Sequence, residues 1–165
     1  MGADRSSEVT AVAEQLHAAT SVTQLLSLTA ESLVRLLDAP ACTISRVIGD
    51  LLVDLVQHQR SGSPNRLGHG YLISDYPLTR SVIEDREPRT VYAGDPDADK
   101  SETALLGELG FDSLLMLAIE SKDAAWGLVE VYGDEGRQFD MSDVDRARAV
   151  AVEAGEALAR LSSAH

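Results

Sequence analysis

The densest apolar pattern in the chain lies at residues 114–119 and 126–132, two runs separated by Glu120, Ser121, Lys122 and Asp123. Runs this short, rich in Leu, Ile, Val, Trp and Tyr and bounded by turn residues, predict paired strands. In the first run Leu114, Met116 and Ala118 alternate with Leu115, Leu117 and Ile119, so neither side is polar. A strand apolar on both sides belongs inside a sheet that is covered on both faces. In the second run Glu130 is the only charge. The rest of the chain is expected to pack on this hairpin.

Upstream, Val9, Val12, Ala13 and Leu16 form a weak helical stripe over residues 7–19. Thr20 and Ser21 interrupt it. Val22, Leu25, Leu26, Thr29, Leu33, Leu36 and Leu37 then recur at three- and four-residue steps, as one helix face does. Pro40 ends that helix, because the residue before a proline is pushed out of the helical region. Residues 41–48 and 51–59 read as two strands joined at Gly49 and Asp50, a pair suited to a two-residue hairpin turn. Residues 60–70 are a loop by composition, and Tyr71, Leu72 and Ile73 follow as a short strand or a crossing. Pro77 opens a helix with Leu78, Val82 and Ile83 on its apolar side, and Pro88 stops it. Thr90 to Tyr92 is a further strand candidate. Asp99 and Glu102 have the spacing of a capping box for a helix that Gly110 ends.

Downstream of the hairpin, Phe139 leads to Asp140, an N-cap candidate for a helix reaching Leu161. Asp143 stands at that helix's positive end. Gly127-Leu128-Val129-Glu130-Val131-Tyr132, a short loop ending in Phe and an Ala-rich terminal helix resemble the C-terminal half of a GAF domain. Gly110-Phe111-Asp112-Ser113-Leu114-Leu115-Met116 agrees with it, looking like the family's helix, glycine and central strand. The resemblance spans residues 21–161. It implies an α+β fold related to PAS domains: an antiparallel sheet of five to six strands, terminal helices on one face, and small helices and loops over a pocket on the other. Residues 1–20 are then an N-terminal helical extension and residues 21–165 a single GAF-like domain.

With 165 residues the chain has length for one full core. A net charge of −13 repels phosphate backbones and anionic lipid, which argues against nucleic-acid and membrane-surface roles. No apolar run approaches the roughly 20 residues of a membrane span. A lone cysteine makes no internal disulfide and fits a reducing cytoplasm. The expected location is cytoplasmic.

The terminal helix carries Val144, Ala147, Ala151, Ala154, Leu158 and Leu161 at alternating three- and four-residue steps, with Val150 and Ala157 off that line. Such a seam either covers the sheet or pairs with another helix. Because GAF domains commonly pair through terminal helices, the resemblance implies a homodimer on this seam. It also implies a small-molecule ligand under a roof holding Tyr71, Tyr76, Thr79, Arg80 and Tyr92, with Met116 and Glu130 contributing where their strand faces point inward. Arg80 either faces an anionic ligand or pairs with Asp75, Glu84 or Glu87.

Other candidates read as structural. Asp95, Asp97 and Asp99 start like a calcium loop, but Lys100 and Leu106 occupy the places of its Gly and Glu. Cys42 is followed by Thr43, whereas bilin-attaching relatives usually have Cys-His, and it lacks the partner cysteines of the family's methionine-sulfoxide reductases. His17, His58, His69 and His165 show no metal spacing, so no metal is assigned. His58 and His69 bracket the variable loop, where a haem or metal ligand is conceivable. The ordered signature of the cyclic-nucleotide subset is not found. No nucleophile elbow, phosphate-binding loop or zinc-protease motif appears. The expectation is a non-catalytic sensory domain with an unidentified cofactor or ligand, acting on a separate output protein or as a module of a larger one. The alternative is a ligand-free interaction module whose pocket is filled by its own side chains.

Overall fold

The computed structural model describes residues 2–61 and 70–163, with side chains from residue 7 onward in those ranges. In chain order it contains helices α1 (Gly2–His17) and α2 (Val22–Leu36), strands β1 (Ala41–Ile48), β2 (Leu51–Gln59) and β3 (Gly70–Leu72), a 3-10 turn (Ile73–Asp75), helix α3 (Pro77–Asp85), strand β4 (Arg89–Tyr92), helix α4 (Lys100–Leu109), strands β5 (Ser113–Ser121) and β6 (Ala124–Gly133), and helix α5 (Met141–Ser163). All strand pairs are antiparallel, in the order β3-β2-β1-β6-β5-β4. The 114–132 hairpin thus supplies two interior strands, as its unbroken apolar pattern requires.

Local chemistry sets the element ends. Ser21 caps α2 by accepting from the Gln24 amide at 3.1 Å. Asp140 and Asp143 cap α5 reciprocally, each side chain accepting the other's amide at 2.9 Å. The β5–β6 turn is tighter than the four polar residues suggest. Lys122 and Asp123 both have positive φ and make the two-residue turn, while Glu120 and Ser121 continue the strand. The Asp99–Glu102 box is only half formed. The Glu102 amide donates to Asp99, but the Glu102 side chain turns inward to Thr79.

Two apolar layers flank the sheet. On one face α1, α2 and α5 pack over Cys42, Ile44, Val56, Leu115, Leu117, Ile119, Val129 and Val131. On the other, Ile73, Val82 and Leu106 from the small helices meet Leu52, Leu114, Met116 and Leu128. The six strands agree with the expected α+β architecture of five to six antiparallel strands.

The seam of α5 does not face outward. Ala147, Ala151, Ala154, Leu158 and Leu161 are all buried in the chain's own core, and Val144 packs against its edge. Val150 and Ala157 are buried with them. The seam residues therefore pack within their own chain. The helix has two apolar stripes because it touches the sheet and also α1 and α2. Small residues allow that approach: a Cβ on Gly155 would stand 2.2 Å from the Glu120 carbonyl oxygen. Among the large apolar side chains of α5, Met141 and Val152 remain exposed.

Val129 lies opposite Ile44 and Leu117 and is fully buried. Val129→Asp places an unpaired charge there, a cost above about 4 kcal/mol. The expected outcome is a chain without a cooperative thermal transition by circular dichroism.

Candidate functional site

Strand alternation sorts residues 128–132 between the two layers. Val129 and Val131 face the long helices, so Leu128, Glu130 and Tyr132 face the small ones. Register places Glu130 between Thr43 of β1 and Met116 of β5. On the next row Ser45 donates to Asp54 at 2.8 Å across β1 and β2. The floor beneath the roof therefore carries Thr43, Ser45, Asp54, Met116 and Glu130.

The roof comes down on this floor. Thr79, on the buried side of α3, donates to Glu102 from α4, and its hydroxyl lies 3.3 Å from the Met116 sulfur. Glu102 is only 1% exposed. Tyr71 and Tyr76 meet edge to face, with ring centroids 6.0 Å apart. Glu130 is 7% exposed, and its one hydrogen bond of note comes from the Tyr132 hydroxyl at 3.4 Å.

The electrostatics of this cluster are one-sided. Burial pushes the Glu130 carboxyl up to about 8, and the neighbouring charges of Glu102 and Asp54 add to the rise. Glu102 is raised as well, mainly by burial, although its bond from Thr79 opposes this. Burial raises Tyr71 and Tyr76, and the acids around them add to the rise: Asp54, Glu130 and Glu108 at Tyr71, and Glu102, Glu108, Asp75 and Glu130 at Tyr76. No described Lys or Arg forms an ion pair with Glu102 or Glu130.

Of the seven residues expected at a ligand site, Tyr71, Tyr76, Thr79, Met116 and Glu130 share this region. Arg80 does not join them. It is exposed and pairs with Glu84 at 2.8 Å, because position 80 lies on the solvent side of α3. Tyr92 sits on β4, the edge strand opposite β3, where it lines a cleft with Leu78, Asp95 and Asp97. Sequence reasoning missed Glu102, hidden by its apparent capping role, and did not bring Ser45 and Asp54 together. Strand alternation from Val129 would have placed Glu130 with Leu128 and Tyr132 on the same side.

The remaining candidates fall elsewhere. Cys42 is buried under the long helices, on the other face of the sheet, where burial raises its thiol well above the ordinary range. His58 lines a cleft with Glu31, Val34 and Arg35 on the α2 side. His69 and His165 lie outside the described residues. A cleft of about 340 Å³ between α5 and the β5–β6 turn has mixed charge, and its Arg86 and Glu120 pair at 3.1 Å.

A carboxyl raised in the native state from 4.5 to about 8 stabilises the fold most below pH 4.5. That contribution is lost as pH rises through this window, because only the unfolded chain releases the proton easily. Glu130→Gln removes the dependence. At pH 5 the variant should melt close to wild type, and at pH 9 it should melt higher by roughly 10 °C, from an effect on the order of 4 kcal/mol. Melting curves at the two pH values check this. An unchanged difference between them would contradict the buried neutral acid.

Comparison with known proteins agrees with the geometry. No curated protein matches the chain's sequence. The chromophore-binding domain of a bacteriophytochrome from R. palustris superposes with TM-score 0.83 at 14% identity, covering 96% of this chain and 62% of that one. The phycocyanobilin-bound GAF domain of a cyanobacterial phytochrome gives 0.82 at 17% identity, covering 98% and 97%. The phycoerythrobilin-bound GAF domain of a cyanobacterial phytochrome gives 0.83 at 14% identity over 100% of both chains. At such identities the likeness is one of fold. The family model for the GAF domain matches residues 21–158. With the fold and the sequence match in agreement, this chain belongs to the GAF domain family.

Proposed function

We propose that this domain is a non-catalytic sensor that binds a small molecule carrying positive charge or several N–H donors between the sheet and its roof. The observation that supports it best is the buried carboxyl of Glu130, surrounded by Glu102 and Asp54 and without a described cation. A ligand cation or N–H donor would satisfy that carboxyl, and Tyr71 and Tyr76 offer aromatic faces for it. An anion such as a nucleotide would meet repulsion there, since Arg80 is turned away.

Structural neighbours are described as bilin-bound, so a bilin has to be tested against these residues. The N–H groups of a tetrapyrrole suit the acidic floor. A thioether from Cys42 would have to cross the sheet, since Cys42 is buried under the long helices. The described residues do not fit a bilin attached through Cys42.

Binding at Glu130 would act on the helical layer through the same strand. Val129 and Val131, its immediate neighbours, pack beneath the long helices. Ligand shifts that layer only by its difference in affinity for two arrangements. Signalling as a homodimer to a separate output protein belongs to this reading. The exposed side of α5 at Val152 would serve as the contact in place of the buried seam.

One observation favours the alternative of an interaction module. Val82, Leu106 and Met116 already fill much of the space between roof and floor. Native mass spectrometry of wild type and Glu130→Gln, purified identically from cell extract, separates the two. The sensor reading expects an added small-molecule mass on wild type that falls about tenfold or more in the variant. A clean chain mass for wild type, unchanged by metabolite extract, supports the interaction module.

A further inference from the structure

Three donors far apart in sequence meet on the surface beside the long helices. His17, in the last turn of α1, places Nε2 2.7 Å from Glu153 Oε2 and 3.9 Å from Glu156 Oε2 of α5. All three donor atoms lie within 4.8 Å of one another. We propose that His17, Glu153 and Glu156 form a divalent transition-metal site, suited to Zn²⁺, that clamps the end of α1 to α5.

The donor set fits that ion. Zinc takes imidazole nitrogen and carboxylate oxygen at about 2.0–2.2 Å, and three protein ligands leave a fourth position for water. Tetrahedral donors at such bond lengths stand about 3.4 Å apart. The 2.7 Å spacing from His17 to Glu153 must therefore widen and the 3.9 Å spacing to Glu156 close, each by less than about 1 Å, while the two carboxylate oxygens already lie within 4.8 Å of each other. These are partly exposed side chains with rotamer freedom. Glu153 and Glu156 are three apart on one helix, which puts both carboxylates on the same side.

The third donor is held in place independently. Arg160, one turn beyond Glu156, donates to the His17 carbonyl at 2.7 Å and also reaches the Ala19 carbonyl at 3.4 Å. Val12 and Leu16 anchor α1 in the core. Two carboxylates facing one imidazole leave negative charge that a divalent ion neutralises. Glu156 adds a second carboxylate to the His17–Glu153 contact and makes the group a ligand set. Because α1 precedes the family-matched residues 21–158, bound metal would fasten this preceding helix to the terminal one.

The test is Zn²⁺ titration by calorimetry on the whole chain, purified without a histidine tag, with Co²⁺ absorption as a second readout. One Zn²⁺ per chain is expected, with a visible Co²⁺ band and a higher melting temperature when Zn²⁺ is present. His17→Ala and Glu156→Gln should each weaken binding by about tenfold or more and abolish the melting shift, while His58→Ala changes neither. Glu156 is exposed, so its variant remains folded and keeps the test decisive. No binding by wild type, or equal binding by His17→Ala, overturns the proposal.

Discussion

The carboxyl of Glu130 stands on the inner floor of the sheet with Glu102 and Asp54 as its charged neighbours, and the rest of the site is arranged around that fact. In a low-dielectric layer a lone carboxylate is expensive, so the group stays protonated near neutral pH. A protonated acid beside Thr43, Met116 and the Tyr132 hydroxyl is a tolerable core residue. Under the proposed function, a ligand cation would pull the proton equilibrium back toward the carboxylate; without one, the contribution of this acid to stability falls as pH rises.

The opposite face of those strands is apolar and tightly fitted. Ala147, Ala151, Ala154 and Gly155 let α5 lie close to β5, while Leu158 and Leu161 close its far end. Interiors packed at this density transmit displacement rather than absorb it. Val129 and Val131, the neighbours of Glu130 on its strand, pack directly in the layer of the long helices.

Much of the architecture was legible in the sequence because its signals were local. The period of α2, the turn at Gly49 and Asp50, the prolines at 77 and 88 and the cap at Asp140 each act within a few residues. Legibility failed where a residue serves two neighbours. The α5 seam has the period of a pairing helix, yet period alone does not say whether the neighbour belongs to the same chain. Glu102 looked like a capping residue and turns its side chain into the core instead. For Arg80 the sequence left an anionic ligand or a nearby acid as partners, and the structure shows Glu84. His17 meets Glu153 and Glu156 across more than 130 positions, a juxtaposition no spacing rule reaches.

The most direct measurement is a carbon-13 NMR titration of the Glu130 carboxyl, on protein stripped of small molecules and again on protein as purified from cells. The account predicts a midpoint near 8 for stripped protein, and a clear fall in that midpoint when ligand is retained. A midpoint near 4.5 in stripped protein would contradict it, as would one near 8 that bound ligand leaves unmoved.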